Sequence, residues 1–215
     1  VMTARVGDTW WFAGFDGIYS LAPGQSVLQR FGQMKKGLPS YQAPFVFLDK
    51  QGNIWFEIDG DAFYRYNPVT KVCVRFDGTD PKHGLFKFAD SQAFVLLASG
   101  DILFAVQGKG LLRYDHATER FTSLNAPQLA EEYIYAMRQG KTGDIWAAST
   151  ANGLMKIDAN GKVLKTISTK NGLPYDQVSS LDIDDNGVVW AATREGLAAY
   201  DPASNNVSKV EVDLG

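Results

Sequence analysis

The chain repeats one short phrase five times, and the spacing of the copies limits the folds that it can adopt. In its clearest copies a turn glycine precedes a short apolar run with a Trp, and a polar loop then leads to a Gly-Leu pair. The residues at the Trp position are Trp10, Trp55, Leu103, Trp146 and Trp190. They lie 45, 48, 43 and 44 residues apart, so one structural unit recurs along the whole chain.

Each copy reads as four short strands separated by turns. In the last copy, Asp184–Gly187 is a turn in which Asp and Asn bond locally and Gly supplies positive φ, and Asp201-Pro202 marks another. Frequent turns between short strands predict an all-β chain, and a period of about 40–50 residues is typical of β-propeller blades. We therefore predict one domain, or a segment of a larger propeller, over residues 1–215. Its five four-stranded antiparallel blades would span approximately residues 1–40, 41–85, 86–131, 132–174 and 175–215.

The residues at the Trp position, four Trp and Leu103, are predicted to be core residues, one per blade. Trp11 follows Trp10 directly and should therefore face the other side of the strand. Between blades, a Gly-Leu or Gly-Leu-Pro phrase recurs, and its Leu is expected to fill the gap between neighbouring blades. These leucines are Leu38, Leu85 and Leu173.

Composition excludes some partners and says little about others. The formal net charge is −3 and Lys and Arg are scattered, so a nucleic-acid partner is not expected. No apolar run reaches the length of a membrane span, so contact with a membrane would need a flanking segment outside this sequence. Cys73, the single cysteine, lies in an alternating strand and is expected to be a structural thiol.

The stretch Asn171–Pro202 resembles the two-component regulator propeller repeat. That family's pattern contains Gly-Leu-Pro, a Val/Ile strand, Asp-x-x-Gly-x-Leu/Ile-Trp and Gly-Leu-x-x-Tyr-Asp, and this chain departs from it at Ala148 and Ala192, where the family has Gly. The resemblance is close in the fifth unit, good in the fourth and thinner in the others. It implies a periplasmic sensor propeller, of the kind found in bacterial hybrid histidine kinases, that binds an extracytoplasmic ligand such as a glycan and takes part in signal transduction.

Catalytic and metal sites are not expected. The two histidines, His83 and His116, fall in a blade connector and an outer hairpin turn, too far apart in a propeller to share a zinc ion. The phrase Gly52–Glu57 resembles the streptogramin-lyase type of propeller enzyme, which uses a catalytic histidine. We therefore expect no enzyme activity, no catalytic or metal-binding residues and no cofactor.

Ligands of propellers bind where the connectors meet the loops between the second and third strands, at the mouth of the central channel. Aromatic rings beside carboxylates and amides would suit a sugar, since the rings stack on apolar faces and the polar groups bond hydroxyls. The candidate ligand-binding residues in these segments are Tyr41, Glu57, Asp59, Lys109, Tyr133, Asn152, Tyr175 and Arg194.

The sequence favours a sensing or recognition propeller for a small molecule or oligosaccharide. It leaves open a propeller enzyme acting on a carbohydrate or lactone, and a protein-binding scaffold. It also leaves open whether five blades close into a ring. An open segment would expose sticky faces that a homodimer or the remainder of a larger propeller would cover.

Overall fold

The fold consists of four-stranded antiparallel sheets that follow one another along the chain. The computed structural model describes residues 3–14, 17–31, 45–58, 61–86, 91–124 and 126–210, and within these ranges it contains five such sheets. In each sheet, strands that are consecutive in the chain lie side by side, which is the arrangement of a propeller blade. The prediction of an all-β propeller fold is confirmed.

The strands of the five sheets have the following bounds. Sheet 1 contains β1 (Thr3–Val6), β2 (Thr9–Gly14), β3 (Gly17–Leu21) and β4 (Gln29–Arg30). Sheet 2 contains β5 (Val46–Leu48), β6 (Ile54–Ile58), β7 (Ala62–Tyr66) and β8 (Cys73–Phe76). Sheet 3 contains β9 (Ser91–Leu96), β10 (Ile102–Val106), β11 (Gly110–Asp115) and β12 (Arg120–Leu124). Sheet 4 contains β13 (Ile134–Gln139), β14 (Ile145–Ser149), β15 (Leu154–Ile157) and β16 (Val163–Ile167). Sheet 5 contains β17 (Val178–Ile183), β18 (Val189–Thr193), β19 (Gly196–Asp201) and β20 (Asn206–Val210).

Helical structure in the described residues is limited to three short segments between sheets. These are the 3-10 turns Pro81–His83 and Thr169–Asn171 and the single α-helical turn α1 (Pro127–Ala130). None of them is long or apolar enough to cross a membrane. The chain forms two compact units, Val1–Asp90 with sheets 1 and 2, and Ser91–Gly215 with sheets 3, 4 and 5.

In the first unit, sheets 1 and 2 bury one apolar face each in a shared core. Trp11 and Ile18 of sheet 1 belong to the same buried cluster as Ile54 and Phe56 of sheet 2. Trp11 also contacts Tyr66, with ring centroids 5.7 Å apart. Because alternate residues of a strand point to opposite faces, the other face of β6 carries Trp55, which is fully buried and stacks on Phe76 at 5.5 Å.

In the second unit, sheet 4 lies between two cores. On one face Ile145 and Ala147 of β14 share a buried cluster with residues of sheet 3, and on the other face Trp146 and Ala148 share one with residues of sheet 5. Trp146 contacts Tyr200 of β19, with ring centroids 5.4 Å apart. All five residues of β14 are therefore buried, which is the pattern of a strand covered on both sides.

The predicted core role is confirmed for Trp55, Leu103 and Trp146, and wrong for Trp190. Trp190 is 41% exposed, whereas its neighbours Val189 and Ala191 are buried against sheet 4. The strand has the expected two faces, but within the described residues of the second unit only the face toward sheet 4 is packed against another sheet. A periodic sequence specifies which residues share a face, and it does not specify what lies over that face.

The core role is also wrong for Trp10, which is 42% exposed, while Trp11 is 7% exposed. The cause is the first hairpin turn. Only Gly7 and Asp8 separate the paired residues Val6 and Thr9, whereas five residues separate Gln139 from Ile145 in sheet 4. When the pairing of a strand shifts by one residue, every side chain moves to the opposite face of the sheet. The short turn shifts β2 in this way, so Trp11 occupies the packing position that the repeat spacing assigns to Trp10.

The five-residue turns of sheets 2 and 5 share an aspartate that joins the turn to the Trp six residues later. In sheet 2, Asp49 Oδ1 accepts hydrogen bonds from the backbone N–H groups of Gln51 and Asn53 at 2.9 and 2.8 Å. Its Oδ2 accepts from Trp55 Nε1 at 2.8 Å. We call this arrangement the capped turn.

The capped turn recurs in sheet 5 with the same partners in the same order. Asp184 Oδ1 accepts from the backbone N–H groups of Asn186 and Val188 at 2.9 and 3.0 Å, and Oδ2 accepts from Trp190 Nε1 at 3.0 Å. The indole hydrogen bond, followed by the backbone hydrogen bonds, lowers the pKa of Asp184. Asp184–Gly187 is thus a turn held by local hydrogen bonds, as predicted.

The connector leucines differ in their burial. Leu173 is 2% exposed and packs in the core between sheets 4 and 5, as predicted. Leu85 is 68% exposed, so the prediction is wrong there. Leu85 lacks the following Pro of the full phrase, and Leu38 lies outside the described residues.

We predict that replacing the two Trp residues of sheets 4 and 5 will have unequal effects. Trp146→Ala should lower the free energy of unfolding by about 3–5 kcal/mol, because it empties a large buried site. Trp190→Ala should cost about 1 kcal/mol, since it mainly removes one exposed hydrogen bond. Urea unfolding monitored by circular dichroism measures both values. Equal losses would show that the outer face of sheet 5 is covered in solution.

Cys73 behaves as a structural thiol in this fold. It packs against the core of sheets 1 and 2, and burial raises the pKa of its thiol to about 11. We predict that the folded protein at pH 8 reacts with a disulfide reagent on the order of 100-fold more slowly than free cysteine, because the thiolate is the reactive form. The same protein in urea should react at the rate of a free thiol. Fast labelling without urea would contradict the burial of Cys73.

Candidate functional site

The candidate site lies at one edge of sheets 4 and 5, where the loops between second and third strands meet the connectors that enter each sheet. Three backbone hydrogen bonds join these segments. Thr150 N donates to Tyr133 O at 3.0 Å, and Arg194 N donates to Gln177 O at 3.3 Å. Between them, Gly153 N donates to Asp176 O at 2.8 Å and so connects the β14–β15 loop to the connector that enters sheet 5.

A carboxylate and an amide lie at the start of this edge. Asn152 Nδ2 donates a hydrogen bond to Glu132 Oε1. The second carboxylate oxygen, Glu132 Oε2, is buried and has no hydrogen-bond partner. A buried oxygen without a partner is costly, and because this one is closed to solvent, a ligand group could donate to it only after the side chain of Glu132 or Asn152 moved.

Two exposed tyrosines follow Glu132 in the chain. Tyr133 and Tyr135 are 42% and 40% exposed, and their ring centroids are 5.1 Å apart at an angle of 56°. Alternate residues of an extended chain point to the same side, which explains why the two rings meet. Large aromatic rings exposed next to each other are uncommon on a surface that has no ligand or partner.

An arginine and a third tyrosine lie at the sheet 5 end of the edge. The guanidinium of Arg194 lies over the ring of Tyr175, 6.0 Å from its centroid. Arg194 is exposed and Tyr175 is half-buried. The guanidinium therefore stays accessible to an anionic or hydroxylated group while the ring holds it in place.

We call this set of residues the loop surface. Its members are Glu132, Tyr133, Tyr135, Asn152, Tyr175 and Arg194. Four of them, Tyr133, Asn152, Tyr175 and Arg194, were predicted from the sequence. Glu132 and Tyr135 were not predicted, although each is within two residues of Tyr133.

The loop surface does not include the other four predicted ligand residues. Lys109 is exposed in the β10–β11 turn, where its backbone N–H donates to Val106 O at 3.0 Å. Glu57 was assigned to a loop, and this placement is wrong. It belongs to β6 and is fully buried, because the strand continues through Ile58 before the chain turns. Tyr41 and Asp59 lie outside the described residues.

The two histidines have structural neighbours. His83 lies in the 3-10 turn that follows sheet 2, where its ring packs edge-on against Phe76 at 4.9 Å. His116 lies in the β11–β12 turn with Nδ1 3.2 Å from Asp101 Oδ1, and Arg113 also bonds this carboxylate. Burial alone would raise the pKa of Asp101, but the hydrogen bonds from Arg113 and His116 outweigh it and the pKa is lowered. Among the described residues, no group of three or more His, Cys, Asp or Glu side chains could hold a metal ion.

Comparison with known proteins supports the fold and leaves the family open. No protein-family model matches the chain, and no curated protein matches it. Solved structures do match. The extracellular domain of BT4673 from B. thetaiotaomicron, a protein described as a one-component system, has a TM-score of 0.63 at 15% identity, and the match covers 97% of this chain and 37% of that one.

Two further structures show that the same fold serves different purposes. The extracellular domain of BT3049 from B. thetaiotaomicron, described as a hybrid two-component system, has a TM-score of 0.57 at 17% identity, covering 97% of this chain and 34% of that one. A catalytically inactive virginiamycin B lyase from Staphylococcus aureus, solved with quinupristin, has a TM-score of 0.74 at 13% identity. The match covers 99% of this chain and 69% of the lyase. The chain thus spans little more than a third of the two extracellular domains. At these identities the likeness shows the fold alone.

We predict that the loop surface depends on Gly153. Its φ is +75°, and a Cβ there would lie 2.1 Å from Ile167 O, a distance that forces the backbone to move. Gly153→Ala should therefore destabilise the protein by more than the about 1–2 kcal/mol expected from left-handed φ alone. Gly187→Ala is the matched control, since Gly187 has φ +84° and no atom within 4 Å of the added Cβ. Similar losses in urea unfolding for the two variants would contradict the close packing around Gly153.

Proposed function

We propose that this protein is a recognition propeller that binds a glycan or similar polyhydroxylated ligand on the loop surface without changing it chemically. The observation that carries the proposal is the pair of exposed tyrosine rings, 5.1 Å apart, in the same short chain segment as a carboxylate with one unpartnered oxygen. Rings provide apolar faces for the C–H side of a sugar, and Glu132 and Asn152 provide acceptors and donors for its hydroxyls.

The geometry favours an extended ligand over a single small group. The backbone hydrogen bonds from Thr150 to Tyr133, from Gly153 to Asp176 and from Arg194 to Gln177 connect the two ends of the loop surface. A chain of sugars could contact the tyrosine pair at one end and Arg194 at the other. The loops that carry these groups are held by the sheets beneath them, so little ordering is required on binding.

We further propose that binding serves signalling outside the cytoplasm. This part rests on the resemblance of Asn171–Pro202 to the two-component regulator propeller repeat, and on the likeness in fold to extracellular domains of BT4673 and BT3049. The likeness to virginiamycin B lyase is one of fold as well. The loop surface offers a binding arrangement, and we propose no catalytic residue in it.

The test is a glycan-array screen followed by titration calorimetry with wild type and with the double variant Tyr133→Ala/Tyr135→Ala. We expect the double variant to bind at least tenfold more weakly. Each ring that covers about 50–80 Å² of apolar surface contributes about 1–2 kcal/mol at roughly 25 cal/mol per Å². Both side chains are more than one third exposed, so the fold should tolerate their loss.

The controls separate binding from folding and from catalysis. Leu164→Ala removes another exposed apolar side chain, on the outer strand β16, and should leave affinity unchanged. Glu132→Gln keeps the shape of the side chain and tests the carboxylate. A binder whose affinity is the same in the double variant would place the site elsewhere. A binder that the protein converts to a product would overturn the proposal in favour of an enzyme.

A further inference from the structure

The turn between β13 and β14 in sheet 4 has the backbone of a capped turn but lacks the aspartate. The backbone of this turn matches that of sheet 5. Gly140 N donates to Asp144 O at 2.8 Å and Gly143 N to Gly140 O at 3.0 Å, while the equivalent bonds in sheet 5 both measure 3.0 Å. Trp146 follows Gly140 by six residues, as Trp190 follows Asp184. Gly140 stands in place of the aspartate, and of the other four turn residues only Gly143 matches its sheet 5 counterpart, Gly187.

The absent side chain leaves three N–H donors without an acceptor. In the capped turns, the aspartate accepts from two turn N–H groups and from the indole. The equivalent donors in sheet 4 are Thr142 N, Asp144 N and Trp146 Nε1. None of these three groups bonds an acceptor in the part of the chain that the structure describes.

The three residues that carry these donors line one cavity of about 520 Å³. Gly140, Thr142, Asp144 and Trp146 form one side of it, and residues of sheet 5, including Ile183, contribute to the other. There is room at the position of the missing side chain. A Cβ on Gly140 would lie 3.7 Å from Ile183 Cδ1, which is an ordinary contact, and the φ of Gly140 is not left-handed. The cavity has the size of a small-ligand pocket.

The charges around the cavity set limits on the ligand. Lys156 Nζ lies 2.9 Å from Asp144 Oδ2, and Lys141 Nζ lies 2.8 Å from Asp185 Oδ1. Asp201, a third carboxylate, also lines the cavity. The lysines are therefore largely neutralised by their partners, and a highly charged anion would be repelled. Three carboxylates against two lysines leave this lining slightly negative, so a ligand should carry no more than one negative group, and the N–H donors rather than the lysines would hold it.

We propose that this cavity binds a small ligand through one carboxylate, which takes the position that the aspartate side chain occupies in sheets 2 and 5. One oxygen accepts from Thr142 N and Asp144 N, and the other accepts from Trp146 Nε1. The turn carries these donors at the edge of sheet 4 opposite to the β14–β15 loop, so this site is distinct from the loop surface. The chemical class is a monocarboxylate, either a sugar acid or the carboxylate of an amino acid derivative.

The test follows the indole N–H resonances of ¹⁵N-labelled protein during titration with sodium acetate at constant ionic strength. Trp146→Phe assigns the resonance. We expect a saturable shift of the Trp146 indole, while the Trp55 and Trp190 indoles, which already bond aspartates, stay in place. Sodium chloride at the same concentration is the control for a general anion effect. No shift of Trp146, or the same shift with chloride, would overturn the proposal.

Two substitutions test the role of the aspartate in opposite directions, one by adding it in sheet 4 and the other by removing it from sheet 5. Gly140→Asp restores an internal carboxylate and should weaken acetate binding at least tenfold, while raising the melting temperature. Asp184→Gly creates the same arrangement in sheet 5 and should make the Trp190 indole respond to acetate. Undiminished binding to the Gly140→Asp protein would overturn the proposal.

The source of the carboxylate is then distinguished with larger probes. Glucuronate and N-acetylglutamate are titrated separately against wild type. Tighter binding of glucuronate than of acetate identifies a sugar acid, and tighter binding of N-acetylglutamate identifies an amino acid derivative. Binding of both no tighter than acetate would contradict a ligand that fills the cavity beyond its carboxylate.

Discussion

The structure depends on the burial of sheet faces against one another. A four-stranded sheet of this sequence is apolar on both sides, and no single sheet can cover its own faces. In the second unit, sheet 4 shows the result most fully, since Ile145 packs toward sheet 3 and Trp146 toward sheet 5. Hydrogen bonds define each sheet, but the burial of alternate side chains between sheets supplies the main stabilisation.

The same arrangement explains why the chemistry lies at the edges of the sheets. Side chains in the middle of the strands are buried against neighbouring sheets, as in β14, where all five residues are buried. Turns and connectors are free to carry polar and aromatic groups on a framework that the sheets hold in place. The loop surface uses one edge of sheets 4 and 5. The cavity beside Gly140 uses the opposite edge, where the replacement of one aspartate by glycine turns an internal hydrogen-bond arrangement into a site for an external carboxylate.

Sheets 4 and 5 contain the same turn, with an aspartate in sheet 5 and a glycine in sheet 4. Asp184 uses its carboxylate to hold the turn and the indole of Trp190, and these hydrogen bonds lower its pKa. Gly140 leaves the corresponding N–H groups without an acceptor, although Trp146 is better buried than Trp190. Packing by sheet 5 therefore stabilises Trp146 without the hydrogen bond. This independence lets one turn lose its aspartate while the sheet is retained.

The sequence by itself determined the fold class, one sheet for each copy of the repeat and the approximate place of most turns that the structure describes, because the repeat spacing and the turn residues are local properties. It also placed Leu173 in the core and four of the six loop-surface residues in loops. Only the tertiary structure decided that Trp11 is buried and Trp10 exposed, that Trp190 is uncovered, and that Glu57 lies inside a strand. The physical reason is that a period of two defines two faces of a strand, whereas turn length sets their phase and neighbouring sheets decide which face is buried.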